Sequence, residues 1–553
     1  MRKASTFLAI LTFIAREGLS NATTLPSTGT AEARALPTVD LGYAIHKATI
    51  NVTGAYFNFS NIRFADPPIG DLRFAAPIAP SGRNTTVNDG QQVAVCPQGG
   101  VVHSPLENED CLFLDVIVPK SIYHQPMAMA ARGEEIMSTV NSTGAPVLVW
   151  IYGGGFSMGS KTYWGAPPGL IAQSRASGSE GVVYVAFNYR LGLFGFLSGP
   201  TYQQEGTPNA GLYDQRLALD WIQKNIALFG GDASRVTVMG ESAGGASIMH
   251  QITAYGGQRG TAFQQAIFQS PAFSPLTSDT QKENFFQAVL ASASAISASP
   301  ITTVSQLRDL STAELQAVNS IVLETITGPG IYPFGPAVDG ELVPALPGIL
   351  LLEGKFDKSI KVMVGHNEDE GRIFTSPTIT TDVALASFLR SQLPAAQPSV
   401  LAYIQDVLYP PIFNGSLPYT TEFGRADLIT SEFLVTCNTR FLNLAYNNQT
   451  FAYFYTIPAG LHAEDLAYTF FNGDTSTNDE GGPPVNATIA VQFQKFLTNF
   501  AMTGNPNGRG VRHFPIYGPT ARVLDIDIED LGRSEMDSVV NNRCSWWQQA
   551  FYA

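Results

Sequence analysis

The chain has 553 residues, of which 44% are hydrophobic and 14% are charged, and its formal net charge is −14. Charged residues make up about 25% of an ordinary soluble domain, so this sequence has enough apolar residues for a large buried core. Proteins that bind DNA or RNA draw most of their affinity from lysine and arginine, and the acidic balance argues against a nucleic-acid partner. At roughly 100–200 residues for each domain, length alone allows three or four domains.

The N-terminus carries the pattern of a secretory signal. Arg2 and Lys3 precede an apolar run over residues 7–15. That run is too short to span a bilayer, and residues 20–22 are small enough for a cleavage site. We expect a signal peptide over residues 1–22 and a secreted protein; the alternative is an apolar N-terminus without a sorting role.

N-glycosylation sequons in the rest of the chain agree with export. A single N-x-S/T is common by chance, but their number in a chain with an export signal predicts a glycoprotein. A further sequon at Asn21 would leave with the signal. The candidate asparagines are Asn51, Asn58, Asn84, Asn141, Asn414, Asn448 and Asn486.

The chain has four cysteines, Cys96, Cys111, Cys437 and Cys544. An even number in an exported protein favours two disulfides, although four cysteines allow three connectivities. Proximity along the chain would give Cys96–Cys111 and Cys437–Cys544. No C-x-x-C or histidine-rich spacing indicates a zinc site, and we expect neither a metal nor a cofactor.

Short apolar runs alternate with helical patterns through most of the chain. This alternation is typical of an α/β fold with a large, mostly parallel sheet covered by helices on both faces. More helical stretches at about 280–360 and 375–450 are expected to be insertions between strands, and a loop is expected at 472–484. The predicted strands are 147–151, 182–187, 236–239, 266–268, 361–364 and 451–456, and the predicted helices are 211–228, 243–253 and 284–295.

The strongest motif is Gly240-Glu241-Ser242-Ala243-Gly244, between a predicted strand and a predicted helix. A nucleophile on such a sharp turn needs glycines two positions away on either side, because side chains there would collide with the strand and the helix. The pattern indicates that Ser242 is a nucleophile and that the Ala243 N–H faces the substrate.

A serine hydroxyl needs a base, and the base needs an acid that orients it. In enzymes with this turn the chain order is serine, acid, histidine. The acid is expected after the strand 361–364, where Glu368, Asp369 and Glu370 remain equal candidates. His462 and His513 then follow, and we favour His462 because it lies in a loop after a predicted strand.

Tyr152-Gly153-Gly154-Gly155 follows the first predicted strand of this series. A glycine run at a strand end lets backbone N–H groups approach a ligand closely. This is the pattern of an oxyanion-binding loop, with Tyr152 where a histidine often stands.

Taken together, these motifs resemble the type-B carboxylesterases, a group that includes cholinesterases, fungal lipases and the catalytically inactive neuroligin-like adhesion domains. The resemblance implies an α/β-hydrolase fold. The matching segments are 63–77 (RFADPPIGDLRFAAP), 109–114 (EDCLFL), 152–156, 188–197 (NYRLGLFGFL), 209–245, 334–344 (FGPAVDGELVP), 365–371 and 499–507 (NFAMTGNPN).

The resemblance also implies the roles of individual residues. It selects Glu370 as the acid and His462 as the base, and it implies that Gly154 and Gly155 form the oxyanion hole with Ala243. It supports both disulfide pairings, and it matches Glu241 and Ser270 to positions that surround the triad. Because these residues are spread over so much of the chain, we expect one domain over residues 23–553.

The resemblance leaves three functions to weigh. We expect a carboxylic ester hydrolase that acts on a small or medium-sized ester through an acyl-enzyme intermediate. The loop from Cys96 to Cys111 is short and has no tryptophan, so it offers no aromatic face for a choline group and no long lid. A lipase or sterol-ester hydrolase is therefore the alternative, and a neuroligin-like binding domain is disfavoured by the intact triad and by the lack of a C-terminal membrane anchor.

Overall fold

The structure, a computed structural model, describes residues 36–100, 103–123, 144–164, 166–179, 181–326, 332–476, 482–529 and 531–553. The expected signal peptide and the sequon at Asn141 lie outside these ranges. Within them, no helix is both long enough and apolar enough to cross a membrane.

Eleven of the described strands form one sheet in the order β14-β13-β12-β11-β10-β9-β7-β8-β6-β4-β3, and β1, β2 and β5 form a small second sheet. The strands are β1 Thr38–Asp40, β2 Ile45–Lys47, β3 Thr49–Asn51, β4 Tyr56–Arg63, β5 Val87–Asn88, β6 Phe113–Pro119, β7 Ala145–Ile151, β8 Val183–Phe187, β9 Gly231–Glu241, β10 Gln265–Gln269, β11 Lys361–Asn367, β12 Phe451–Tyr455, β13 Arg522–Ile526 and β14 Ser534–Met536.

Neighbouring strands from β13 through to β8 run parallel, and the strands at both edges of the large sheet are antiparallel. Every residue of β7, β8 and β10 is buried. Strands that are buried on both faces read as continuous apolar runs rather than as an alternation, which is why the sequence revealed them.

Helices cover both faces of the sheet or lie in the segments between its strands. They are α1 Pro168–Ser174, α2 Gly192–Phe196, α3 Ala210–Asn225, α4 Ala243–Thr253, α5 Asp279–Ser297, α6 Val304–Arg308, α7 Thr312–Ile326, α8 Pro347–Leu352, α9 Asp382–Gln392, α10 Pro398–Tyr403, α11 Glu422–Ser431, α12 Cys437–Ala445, α13 Leu466–Thr469, α14 Ala487–Thr503 and α15 Asn542–Gln548.

The predicted fold class is confirmed, and each of the six predicted strands overlaps one of the strands β7 to β12. The prediction missed strand β6, which is buried along its whole length. Asp115 interrupts its apolar run and obscures the strand signal. In the fold, the Asp115 carboxylate is paired with Lys161 Nζ at 2.8 Å, so the charge is compensated inside the protein.

Both disulfides have the pairing that the resemblance implies. Cys96 is joined to Cys111 just before β6, and Cys437 at the start of α12 is joined to Cys544 in α15. The second bond closes a loop of 107 positions and links the C-terminal helix to the segment that precedes β12. The described chain has no free cysteine.

Candidate active site

Ser242 stands on a strained turn between β9 and α4. Its φ of 55° and ψ of −122° are rare for a residue with a side chain, and such strain persists only where the surrounding structure enforces it. The Ser242 N–H donates to the Gln269 carbonyl at 3.0 Å, and the Ser242 carbonyl accepts from the Ala272 N–H at 3.0 Å. These two bonds tie the turn to the end of β10 and to the residues just after it.

The glycines of the serine motif are required by close backbone contacts. A Cβ at position 240 would lie 2.6 Å from the Gly244 carbonyl carbon, and one at position 244 would lie 2.0 Å from the Ile151 oxygen. Both distances are shorter than real Cβ contacts. The expected reason for Gly240 and Gly244 therefore holds in the fold.

The glycine loop after β7 lies against the serine. A Cβ at Gly153 would be 2.9 Å from the Ser242 Cβ. Gly154 and Gly155 have φ values of 107° and 60°, which turn their N–H groups away from the usual strand pairing. Among the described residues, no atom accepts a hydrogen bond from either N–H group.

Ala243 directly follows Ser242 in the chain. It is the first residue of α4, and the first N–H groups of a helix have no partner within the helix. Gly154 and Gly155 line the same cavity as Ser242.

Glu370 is fully buried in the turn after β11 and is held by three donors. Its Oε1 accepts from the Asn367 N–H at 2.5 Å and from the Ser270 hydroxyl at 2.6 Å, and its Oε2 contacts Nδ1 of His462. Burial alone would raise the pKa of Glu370. The charge and hydrogen bond of His462, with the other two donors, instead hold that pKa below its ordinary value.

The loop that carries His462 is bound directly to the loop that carries Glu370. The Asp369 N–H donates to the Gly460 carbonyl at 2.8 Å, and Asn367 Nδ2 donates to the Leu461 carbonyl at 2.6 Å. These two hydrogen bonds hold the two loops together and so keep the His462 imidazole next to the Glu370 carboxylate.

His462 is itself buried between carboxylates. Burial favours the neutral ring, but the charges of Glu370 and Glu241 outweigh it and raise the pKa of the imidazole above its ordinary value. The ring also packs edge-on against Phe374, with ring centroids 4.9 Å apart. The two carboxylates therefore stabilise a positive charge on this ring.

Glu241 faces the other nitrogen of the ring. Its Oε1 lies 3.2 Å from His462 Nε2, and neither atom has a hydrogen bond of good geometry in the described part of the chain. Burial is the main reason that the pKa of Glu241 is raised; His462 opposes this shift, and Asp465 and Glu370 add to it. Among the described residues, His462 Nε2 has no hydrogen bond to Ser242; contacts between a nucleophile and its base often tighten only with substrate bound.

The other candidates from the sequence lie elsewhere. Glu368 is exposed, and Asp369 pairs with Arg372 at 3.2 Å. His513 is exposed. Of the three acids and the two histidines that the chain order left open, the fold brings only Glu370 and His462 together.

A polar network behind His462 was not predicted from the sequence. Asp465 is fully buried, and its Oδ2 accepts from Tyr453 OH at 2.6 Å and from Gln269 Nε2 at 2.9 Å. Gln269 also donates to Thr469 at 2.9 Å. Because the Gln269 carbonyl holds the Ser242 N–H, this network links the serine turn to the helix that follows His462. The only signal in the sequence was Asp465 three residues after His462.

Ser242 and His462 open into a cavity of about 470 Å³. This is within the usual 300–1,000 Å³ of small-molecule sites, and most of the wall is apolar. The lining aromatic residues are Phe156, Tyr163, Trp164, Phe273, Tyr332, Phe334, Phe374, Phe470 and Phe471.

Comparison with known proteins places this chain in a family. Residues 46–547 match the carboxylesterase family. The chain is 40% identical to "Carboxylesterase patB" of Penicillium expansum, with 94% of this chain and 97% of that protein covered. It is 30% identical to "Secreted triacylglycerol lipase LIP1" of Gibberella zeae, over 84% of this chain and 81% of the other.

A solved esterase structure has the same fold as this chain. Aspergillus niger EstA superposes with a TM-score of 0.76 at 25% sequence identity, over 93% of this chain and 98% of that one. The chain therefore belongs to the carboxylesterase family, has the α/β-hydrolase fold, and is a carboxylic ester hydrolase.

Proposed function

We propose that Ser242, His462 and Glu370 form the catalytic triad of this ester hydrolase. The single observation that carries the proposal is the contact of His462 Nδ1 with the buried Glu370, in the same cavity as the strained Ser242. Nucleophile, base and orienting acid come from the ends of three parallel strands, the arrangement expected of an α/β-hydrolase.

In this proposal the reaction proceeds through an acyl-enzyme. Ser242 Oγ attacks the ester carbonyl while His462 takes the hydroxyl proton, and Glu370 stabilises the imidazolium that forms. The N–H groups of Gly154, Gly155 and Ala243 bind the carbonyl oxygen as it becomes negative. His462 then protonates the departing alcohol, and a water molecule repeats the sequence to release the acid.

Ser270 and Glu241 are proposed to support the triad without reacting. The Ser270 hydroxyl fixes the carboxylate of Glu370 through Oε1, the oxygen that His462 does not contact. Glu241 favours a positive charge on His462 from the opposite side of the ring. Neither side chain needs to touch the substrate for these effects.

The substrate is proposed to be a small or medium-sized ester, because the loop from Cys96 to Cys111 is bound on both sides. Towards the glycine loop, the Gly99 N–H donates to the Ser157 carbonyl at 2.8 Å, and Gln98 Oε1 accepts from the Gly159 N–H at 2.9 Å. A lid that opens would have to break these bonds.

The same loop is bound to α7 on its other side. Asn319 Nδ2 donates to the Gln98 carbonyl at 3.1 Å, and Gln316 Nε2 donates to Glu107 Oε2 at 2.7 Å. Thr312 donates to Glu109 at 2.6 Å. Held in this way, the loop favours an esterase with a fixed entrance over a lipase or sterol-ester hydrolase that opens at a lipid surface.

We also propose that residues 1–22 direct the chain into the secretory pathway and that residues 23–553 form one domain. Secretion is supported by the name of the Gibberella zeae relative and by the two disulfides, which persist in oxidising compartments. Among the candidate glycosylation sites, Asn51, Asn84 and Asn414 are exposed and Asn58, Asn448 and Asn486 are half-buried. If the protein is secreted and glycosylated, treatment of the secreted protein with an endoglycosidase should decrease its mass.

Hydrolysis of p-nitrophenyl butyrate tests the triad. Ser242→Ala and His462→Gln should each lower kcat by several orders of magnitude, while His513→Gln should keep the wild-type value. Circular dichroism should show that all three variants are folded. Wild-type activity in Ser242→Ala would show that another group is the nucleophile.

A further inference from the structure

The segment that follows the proposed oxyanion donors folds back against them. The Gly154 carbonyl accepts from the Met158 N–H at 3.1 Å. Gly159 then packs against the start of the same segment, since a Cβ there would lie 2.7 Å from the Gly153 carbonyl oxygen. Residues 153–159 thus form one compact turn, the oxyanion turn, in which a movement at one end is felt at the other.

Two hydrogen bonds join the oxyanion turn to the loop from Cys96 to Cys111. The Gly159 N–H donates to Oε1 of Gln98 at 2.9 Å, and the Ser157 carbonyl accepts from the Gly99 N–H at 2.8 Å. Of the two, only the first is made by a side chain. A substitution at position 98 can therefore remove a bond to the turn without changing the sequence of the turn.

The backbone of Gln98 is held on both sides. Its N–H donates to Glu107 Oε2 at 3.1 Å, and its carbonyl accepts from Asn319 Nδ2 at 3.1 Å. Asn319 is fully buried in α7, and the disulfide Cys96–Cys111 closes the loop two residues before Gln98. Supporting contacts of this kind are what fix the position of a functional side chain. Gln98 thus offers the oxyanion turn an acceptor at a fixed place.

The bond from Gly159 matters to the turn because Gly159 is buried. A buried N–H that loses its acceptor is costly, so without the Gln98 oxygen the turn would move until this N–H found another acceptor. The movement would reach Gly154, since a Cβ there would lie only 2.3 Å from the Met158 carbonyl oxygen. An oxyanion donor has to lie about 2.7–3.1 Å from the negative oxygen, which leaves little room for such a shift.

We propose that Gln98 is a positioning residue for the oxyanion hole, which fixes Gly159 and, through the oxyanion turn, the N–H groups of Gly154 and Gly155. The proposal rests on the function proposed above and adds a residue to its machinery. Gln98 is not among the described residues that line the cavity, so it acts through the turn and not on the substrate. The loop closed by Cys96–Cys111 then serves catalysis as well as the shape of the entrance.

This role predicts a specific kinetic defect. The negative charge on the carbonyl oxygen develops in the transition state, whereas the cavity wall binds the substrate before and after that point. Loss of an interaction that is made only in the transition state lowers kcat and leaves KM in place. A variant of Gln98 should therefore bind the ester normally and turn it over slowly.

Hydrolysis of p-nitrophenyl butyrate by three variants tests the proposal. Gln98→Met has a side chain of similar length without the oxygen, and we expect kcat about tenfold lower with KM within about twofold of wild type. Gln98→Asn keeps the amide but is one carbon shorter, and it should show a defect in the same direction. The control Gln316→Met removes the 2.7 Å bond from α7 to Glu107 in the same loop, and its kcat should stay within about twofold of wild type.

A transition-state analogue and a matched ground-state ligand give a second readout. With 1,1,1-trifluoroheptan-2-one, Ser242 Oγ bonds to the ketone carbon, the carbonyl electron pair moves onto its oxygen, and His462 takes the serine proton. Heptan-2-one fills the same space without a stable adduct. In Gln98→Met, the inhibition constant of the fluoroketone should rise by about the factor that kcat falls, and that of heptan-2-one should not change.

The outcomes separate the positioning role from the proposed function. Wild-type kcat and fluoroketone affinity in Gln98→Met would overturn the role of Gln98 and leave the triad intact. Equal weakening of both ketones would also overturn it, because the cavity as a whole would then be damaged. If circular dichroism shows that Gln98→Met is unfolded, Gln98→Asn decides by the same two measurements. A wild-type protein that neither hydrolyses the ester nor binds the fluoroketone would overturn the proposed function itself.

Discussion

Ser270 donates a hydrogen bond of 2.6 Å to Oε1 of Glu370, while His462 contacts the other oxygen of the same carboxylate. Ser270 has a φ of 44°, and its N–H donates to the Gly365 carbonyl at 2.9 Å. The end of β10 thus holds the acid that β11 supplies. The orientation of His462 depends on both strands.

Removing the Ser270 hydroxyl should weaken catalysis without unfolding the protein. A hydrogen bond to a charged group is worth about 1.5–3 kcal/mol, so Ser270→Ala should lower kcat about tenfold or more. The matched control is Ser391→Ala, which removes an exposed hydroxyl that donates to the Phe388 carbonyl in α9. Equal kcat values in the two variants would show that Ser270 does not position the acid.

Glu241 should set the pH dependence of the reaction. Only neutral His462 can accept the serine proton, so kcat/KM rises with pH as the imidazole loses its proton. Because the carboxylates of Glu370 and Glu241 raise the pKa of His462, this rise should lie above pH 6.5, the ordinary histidine value. Glu241→Gln removes one of these charges and should move the rise to lower pH.

The control for the pH shift expected in Glu241→Gln is the variant Glu368→Gln. Glu368 lies two residues before Glu370 but is exposed. Its removal should leave the kcat/KM profile in place. The same pH midpoint for wild type and Glu241→Gln would mean that Glu241 does not act on the histidine.

The glycine loop should not tolerate a side chain at Gly154. A Cβ there would lie 2.3 Å from the Met158 carbonyl oxygen, at a φ of 107°, so the loop must shift. Loss of one oxyanion donor costs about 10²–10³ in kcat, and we expect a loss of that size in Gly154→Ala. Gly42→Ala is the control, since Gly42 also has a positive φ but its Cβ would meet no atom within 4 Å. Full activity of Gly154→Ala would remove Gly154 from the oxyanion hole.

The hydrogen bonds that hold the loop from Cys96 to Cys111 in place predict how the activity of the enzyme responds to a lipid surface. Activity on tributyrin should follow a single saturation curve through its solubility limit, because no lid has to open. Activity on triolein should be far lower, since the cavity of about 470 Å³ is too small to enclose three long acyl chains. A sharp rise in rate above the solubility limit would identify a lipase.

The sequence predicted the parallel centre of the sheet because each of the strands β7 to β12 contains a short apolar run. It also pointed to Ser242, whose flanking glycines are a local requirement of the turn. It could not choose among Glu368, Asp369 and Glu370 by spacing. Neighbouring residues in a turn point in different directions, and only the packed turn buries Glu370 beside His462.

Features that depend on contacts between distant parts of the chain could not be predicted from the sequence. Asp465 looked like an ordinary charged residue, because its partners Tyr453 and Gln269 belong to two different strands. The bonds that hold Gln98 and Glu107 against α7 join segments more than 200 positions apart. Hydrophobic periodicity carries no information about such pairs.

We propose above that Ser242 is the nucleophile and that His462 activates it. The most direct measurement is labelling of the folded protein with a fluorophosphonate, followed by mass spectrometry of its peptides. We expect one label for each chain, located on Ser242, with loss of esterase activity in proportion to labelling and much slower labelling in His462→Gln. A label on another residue, or full activity in protein labelled at Ser242, would contradict it.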